Sequence, residues 1–443
     1  MAREFKPRDG KWKRTQLSTV LRRVIESIEP NATEMYREIG VKSHGRGIFH
    51  KGPITGESLG NKRVYRVLPD CFVFNVVFAW EQAVAKTSSR ESGMIASHRF
   101  PMYQAIDNKI DLDFLLLFFK TPLGKHQLGL ASPGGAGRNR TLSQSGFLKI
   151  EIPLPPIEQQ VRIAKAIQRW DHAILLLEKQ LRFKRLRLRA LMQQLLTGEI
   201  RLPKFGAKPK SRPSAVQVPA AVRQGIYPPS VQPGIPRLME CPDGWTKVTM
   251  AELLRVEKRP VTLDDNKEYQ LVVAKRNRGG IEPRDRLRGS EIKTPTQFEV
   301  RAGDFVISRR QIIHGACGVV PASLDGAIVS NEYSVCTVNA NLDMTFLKYL
   351  THTLYFQQTC FHSSVGVALE KMIFKLEHWQ RFPFLVPPIA EQRAIGEVLS
   401  ATDSELNVLV QQISLLTQQR DGLMYQLLNG TARFNVDAKT AKR

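Results

Sequence analysis

The stretch Ile152–Gln180, IPLPPIEQQVRIAKAIQRWDHAILLLEKQ, returns in altered form at Phe384–Gln412, FLVPPIAEQRAIGEVLSATDSELNVLVQQ. At an offset of 232 residues Pro155–Leu202 aligns with Pro387–Phe434 without a gap, and 15 of 48 positions are identical. Identities include Ile157/Ile389, Gln160/Gln392, Asp171/Asp403, Met192/Met424 and Gly198/Gly430. The repeat reaches backwards, because Asp111-x-x-Phe114-Leu115 meets Asp343-x-x-Phe346-Leu347 at the same offset. A duplication at this spacing marks a tandem of two similar units, each a variable globular part followed by a helical part.

Two prolines suit a helix entrance, and no Pro or Gly then occurs between Ile157 and Gly198, which predicts a helix of about 40 residues. Its apolar positions are Ile163, Ile167, Trp170, Ile174, Leu177, Leu181, Leu188, Leu191 and Leu195, with Lys184 in the same series. Spacings alternate four and three, as in a heptad seam. The second copy gives Ile395, Leu399, Thr402, Leu406, Leu409, Ile413, Leu416, Arg420, Leu423 and Leu427, although Gly396 and Gly422 weaken it. Two matching stripes in one chain predict that the helices pair with each other. Pro155–Lys204 carries 11 basic and four acidic residues, whereas Pro387–Phe434 carries three and five. Attraction between the helices, a solvated face and phosphate contact are all readings of that basic cluster.

The chain has 443 residues, 65 Lys plus Arg against 41 Asp plus Glu, and a formal net charge of +24. So large an excess points to a polyanion as partner, nucleic acid first. The N-terminal stretch MAREFKPRDGKWKRTQ lacks the apolar centre of a secretory signal. The longest apolar runs, CFVFNVVFAW from Cys71 and FLLLFF from Phe114, are too short for a membrane span and read as a buried strand and helix. Five scattered cysteines without a CxxC pair suggest a reducing, cytoplasmic setting and neither a zinc site nor a disulfide framework. Pro203–Pro236 holds eight prolines, five basic residues and no acid, and reads as an extended linker.

In the globular parts, short β-type runs precede a helical run, which predicts an α+β class. These are VYRVL, CFVFNVVFAW and HRFPMYQA before LDFLLLFFKTPLGKHQ, and EYQLVVAK, FEVRAGDFVIS, GACGVV and GAIVSNEYSVCTV before FLKYLTHTLYFQQTC. Basic residues concentrate in their turns. Candidates for DNA contact are Arg46, Lys51, Lys62, Arg63, Arg138, Asn139 and Arg140 in the first copy. Lys275, Arg276, Arg278, Arg284, Arg286, Arg288, Arg309 and Arg310 are those of the second. Arg and Asn suit guanine and adenine edges, but composition does not separate base readers from phosphate contacts. The loop SPGGAGRNRTL is either a flexible turn or a close approach of backbone to ligand.

No methyltransferase Asn-Pro-Pro-aromatic or Asp-Pro-Pro-aromatic element, strand-linked GxGxxG or metal-spaced His/Cys set is present, so no catalytic or metal residue is assigned. The nearest nuclease-like pattern is Asp243 with Glu291 and Lys293, which could in principle hold Mg²⁺. A Mg-dependent nuclease and a coiled-coil assembly scaffold are the alternatives to a DNA-recognition protein.

The repeated PLPPIEQQ…WD…LMQQLLTGxxRL, with its second copy VPPIAEQR…D…LMYQLLNGTARF, resembles the specificity (S) subunit of Type I restriction-modification enzymes. GDFVISRR, GAIVSNEYSV and MIASHRFPMY are similar to that family's target recognition domains. The resemblance implies two such domains alternating with two long helices that pair as an antiparallel coiled coil, a pseudo-twofold tandem repeat. On this plan 1–152 and 237–384 are recognition domains, 153–202 and 385–436 spacer helices, 203–236 the linker and 437–443 a tail. It also implies a non-catalytic subunit that binds a bipartite, asymmetric double-stranded DNA site, with two modification (methyltransferase) and two restriction (motor and nuclease) subunits as partners. S-adenosylmethionine is then expected on the methyltransferase, not on this chain, and no membrane is involved. Thr402 in place of a Trp170-type residue is a local departure.

Overall fold

The computed structural model describes residues 12–60, 62–134, 140–206, 228 and 230–431. Arg138, Asn139, most of the expected linker (207–227 and 229) and the expected tail 437–443 lie outside the described residues. The chain divides into two compact units, one formed by 1–178 with 411–443 and the other by 179–410. Both boundaries fall inside a long helix, so each unit contains part of both helices.

In the first unit the strands are β1 (Lys13–Gln16), β2 (Leu21–Val24), β3 (Ser27–Ile28), β4 (Met35–Val41), β5 (Ile48–Thr55), β6 (Val64–Arg66), β7 (Phe72–Phe74), β8 (Val84–Lys86), β9 (Ile95–Ser97), β10 (Met102–Ala105) and β11 (Glu151–Leu154). They form a four-stranded sheet in the order β2-β10-β7-β8, a five-stranded sheet β3-β6-β9-β4-β5 and the pair β1-β11. Of CFVFNVVFAW only Phe72–Phe74 is strand, the chain then turning into a short 3-10 segment, Ala79–Glu81. Phe72 and Phe74 are fully buried there and pack with Tyr103, Phe119 and Phe147.

The helical run after them is not one helix. Asp111 accepts the Phe114 amide to start α1 (Leu112–Lys120), and Thr121 ends it. The Thr121 hydroxyl accepts the Gly124 amide and, with Pro122 at the first position, starts α2 (Pro122–Leu130). Asp343 and Thr353 repeat this in the second unit for α4 (Met344–Leu350) and α5 (Leu354–His362).

The second unit's strands are β12 (Thr246–Thr249), β13 (Leu254–Glu257), β14 (Pro260–Val261), β15 (Glu268–Ala274), β16 (Ile281–Arg288), β17 (Gln297–Glu299), β18 (Phe305–Ser308), β19 (Cys317–Val319), β20 (Ile328–Ser330), β21 (Tyr333–Val338), β22 (Ser364–Val365), β23 (Ile373–Phe374) and β24 (Pro383–Val386). Their orders, β13-β21-β18-β19, β14-β17-β20-β15-β16 and β12-β24, reproduce those of the first unit strand for strand. A parallel pairing recurs as well, as Glu38↔Ile95 and Leu271↔Ile328. The fold is α+β, a tandem repeat of one topology.

The two long helices are α3 (Ile157–Leu196) and α6 (Ile389–Leu428). Within the first unit Ile163, Ala164 and Ile167 share a core with Met424, Leu427 and Leu428, and also with Phe114 and Leu117 of α1. Within the second, Leu188, Leu195 and Leu196 join the core that holds Ile395, Leu399 and Leu406. Ion pairs fix the direction: Asp171 holds Arg420, Lys184 holds Glu405 and Arg201 holds Glu391, so one number falls as the other rises and the helices run antiparallel. No helix among the described residues is long and apolar enough to cross a membrane.

Candidate nucleic-acid interface

Strands β4 and β5 make an antiparallel ribbon on the edge of the five-stranded sheet. The outer strand leaves Phe49, His50, Lys51, Gly52 and Pro53 exposed in succession. A ribbon of this kind fits a major groove of about 12 Å. Arg37 pairs with Pro53 and Ile39 with His50, so Lys51 and Gly52 together face Glu38 in a bulge. In β15–β16 the pairs are Gln270 with Arg286 and Val272 with Pro283, and Arg284 and Asp285 face Leu271. Each unit thus presents a bulged ribbon with a cation first in the bulge. Bulges re-aim side chains out of the regular pleat, which is why they recur at binding sites.

Beside the first ribbon lies a cleft of about 1020 Å³ lined by residues of β4, β5, the approach to β6, the chain after β7 and the β9–β10 turn. Lys51, Lys62 and Arg63 line it together with His98, Arg99, Asn75 and the aromatic rings of Phe49, Phe78 and Tyr65. Lys51 donates to Glu38 at 3.2 Å, whereas Lys62 and Arg63 are exposed and make no ion pair among the described residues. Arg46 stands in the ribbon's tip, its Nε donating to the Ser43 carbonyl at 3.1 Å. Arg140 lies 5.6 Å over the Trp80 ring and lines no part of the cleft. The structure therefore groups three of the sequence-derived cations in one cleft. His98, Arg99, Asn75, Phe49 and Phe78 are additions, and an aromatic residue interleaved with cations in GIFHKGP was the signal for Phe49.

In the second unit most candidate cations hold a carboxylate: Lys275 with Glu282, Arg276 with Glu370, Arg284 with Asp285, Arg286 with Glu268 and Arg310 with Glu332. Arg310 reaches both Glu332 oxygens, at 2.7 and 3.1 Å. Arg288 is exposed and Arg309 half-buried, the latter donating weakly to the Asn331 carbonyl at 3.5 Å. Arg278 departs from the expectation of a surface contact. Asn277 and Arg278 take left-handed backbone at φ 58° and 60°, which turns the Arg278 side chain inward against Gly315. Its Nη2 donates to the Ser230 carbonyl at 3.4 Å, its Nε has no hydrogen-bond partner among the described residues, and burial pulls its pKa down.

The nuclease-like trio shows no metal-binding geometry. Glu291 accepts the backbone N–H of Arg288 at 2.8 Å and so caps its own short turn, while Asp243 offers only its backbone carbonyl to Arg201. No group of three or more His, Cys, Asp or Glu among the described residues could hold a metal ion.

The sequence-derived seam follows the burial pattern. Ile163, Ile167, Leu195, Leu399, Leu406, Leu409 and Leu427 are buried, and Trp170, Ile174, Leu177, Leu181, Leu191, Ile413 and Leu423 are half-buried. Leu196, Met424 and Leu428, one residue off the seam, are buried as well, because there the helices meet the globular parts of the units rather than only each other.

A family model described as the Type I restriction modification DNA specificity domain matches residues 70–183. The Type I restriction enzyme MjaVIII specificity subunit of Methanocaldococcus jannaschii is 22% identical over 353 residues, 77% of this chain and 75% of its own length. Among solved structures, the HsdS subunit from Thermoanaerobacter tengcongensis superposes with a TM-score of 0.51 at 18% identity, covering 97% of this chain and 99% of that one. The S subunit of a Type I restriction-modification system from M. genitalium gives a TM-score of 0.53 at 11% identity over 96% and 99%.

Proposed function

We propose that the chain is a specificity subunit of a Type I restriction-modification enzyme, the non-catalytic DNA-reading subunit of such a complex. Each unit takes one half of a bipartite, asymmetric double-stranded site. The observation that carries this reading is the bulged, cation-bearing ribbon present once in each unit at the same place in the same topology. Identical frames with different side chains on the exposed strand are what two readers of different half-sites require.

The paired helices support a second role. Their sequences repeat where the ribbons diverge, so they offer two equivalent surfaces on which two modification subunits dock, with two restriction subunits completing the endonuclease. S-adenosylmethionine then binds the modification subunit. On this plan 1–152 and 237–384 serve recognition, and 153–202 and 385–436 serve as spacers.

The experiment is a domain exchange read by methylation-sensitive sequencing in cells that also carry the modification subunit. Replacing residues 1–150 with the matching part of a relative changes one half-site and leaves the other intact. Both halves changing together, or no methylated site at all with the native chain, refutes the proposal. Magnesium-dependent cleavage by the isolated chain that is lost in Glu291→Ala would favour the nuclease alternative.

A further inference from the structure

One ladder pair of the ribbon differs in kind between the units. In the first unit it joins Gly40 to Phe49, and at the same register in the second it joins Val273 to Glu282. A Cβ built on Gly40 would overlap the Phe49 ring, so the missing side chain is the seat in which that ring lies. Phe49 nevertheless remains 40% exposed and lines the cleft with Lys51, Lys62, Arg63 and Arg99. A single exposed phenylalanine on an ordinary surface has no meaning. Here the ring is held in place beside Lys62, Arg63 and Arg99, with Lys51 paired to Glu38, on a strand dimensioned for the major groove.

We infer that Phe49 is a specificity-determining residue that reads the 5-methyl group of a thymine in the half-site taken by the first unit, an inference that rests on the DNA-reading function proposed above. A phenyl ring neither donates nor accepts a conventional hydrogen bond, and the apolar feature that distinguishes one base edge from the others in the major groove is the thymine methyl. The surrounding cations fit the phosphates on either side of the groove and fix register without reading sequence. At the matching register Glu282 offers an acceptor instead, held by Lys275 at 3.0 Å. The position is thus free to change chemistry while the frame stays constant.

The test uses the complex of the full chain with its modification subunits and a duplex carrying its site, each thymine of that half-site being replaced in turn by uracil, which removes only the methyl. One position should bind about fourfold more weakly as uracil, the value of one buried methyl group. Phe49→Ala should abolish the thymine–uracil difference at that position, and Gly40→Ala, which displaces the ring, should do the same. Phe49→Leu should keep part of it, and unchanged selectivity at the other half-site shows that the variants are folded. No methyl-sensitive thymine, or a difference that persists in Phe49→Ala, overturns the inference while leaving selective binding intact. Absence of selective binding by the native complex overturns the DNA-reading function, and this inference with it.

Discussion

Gln160 and Gln392, 232 residues apart and both fully buried, make the same three hydrogen bonds. Each Oε1 accepts the backbone N–H of the aspartate that caps the first helix of its recognition unit, Asp111 or Asp343, at 2.8 Å. Each Nε2 donates to the carbonyl two residues before that aspartate, Lys109 or Asn341, at 3.3 and 2.8 Å. It donates also to the proline that opens the long helix, Pro155 or Pro387, at 2.8 Å. One amide side chain thereby ties the entrance of a spacer to the cap of a recognition helix.

Gln160→Leu and Gln392→Leu should each cost about 1–3 kcal/mol, because a donor and two acceptors are left buried and unpaired. For units of this size each kcal/mol lowers the melting temperature by about 2–4 °C. Thermal unfolding followed by circular dichroism measures it. An unchanged melting temperature in both variants would show that the shared bonds contribute nothing net.

Each long helix carries one basic residue in its apolar seam, and each of these holds an acid of the other helix: Lys184 with Glu405, and Arg420 with Asp171. Polar seam residues select register and oligomeric state at some cost in stability. Replacing both Lys184 and Arg420 by Leu should therefore leave the helices formed but relax their choice of partner. Light scattering after size-exclusion chromatography should then find dimers or larger species, whereas a wholly monomeric double variant argues against the register role.

The salt dependence of DNA binding should differ between the units. Lys62 and Arg63 make no ion pair among the described residues, so each is available to a phosphate. Lys62→Ala and Arg63→Ala should each reduce the slope of log K against log salt by about 0.9 without changing the preferred sequence. Arg286 is held by Glu268, so Arg286→Ala should change that slope less. Titrations of the assembled complex at several salt concentrations decide it, and equal slope changes at all three positions would contradict the pairing.

Acid should weaken the second unit. Burial lowers the pKa of His352 from the ordinary histidine value to about 4, with Arg278 and Lys348 adding repulsion. Between roughly 6.5 and 4 the unfolded chain binds a proton more readily than the folded one, so stability is complete above that window and falls as pH drops through it. Melting temperatures from pH 7 to 4 measure the loss, and His352→Gln should flatten part of it. An identical pH profile in that variant would assign the acid sensitivity elsewhere.

The helical half of the fold was legible in the sequence because its signal is local and periodic. Four-and-three spacing placed Ile163, Ile167 and Leu399 in the seam, and the odd Lys184 and Arg420 fell into register with acids. The repeated topology of the recognition units was not legible. Strand pairings such as Glu38↔Ile95 and Leu271↔Ile328 join residues 57 apart, and their sequences share little because only the inward faces are constrained. The ribbons were half visible: EYQLVVAK marked β15, whereas MYREIGV of β4 and IFHKGPIT of β5 mix charged residues, glycine and proline into the apolar pattern. The inward turn of Arg278 was not legible, because it depends on left-handed backbone that a string of basic letters does not advertise.

The first unit's core holds Met424, Leu427 and Leu428 beside Phe114, Leu117 and Ile163. During synthesis the N-terminal portion of that core leaves the ribosome well before its C-terminal portion. The intervening 179–410 comprise the whole of the second unit, and at about 5–20 residues per second their translation takes roughly 10–50 s. The second unit can therefore close before Phe114, Leu117 and Ile163 meet Met424, Leu427 and Leu428. A nascent chain of this design keeps that one apolar patch open until Leu428 has emerged, and chaperone demand should concentrate there.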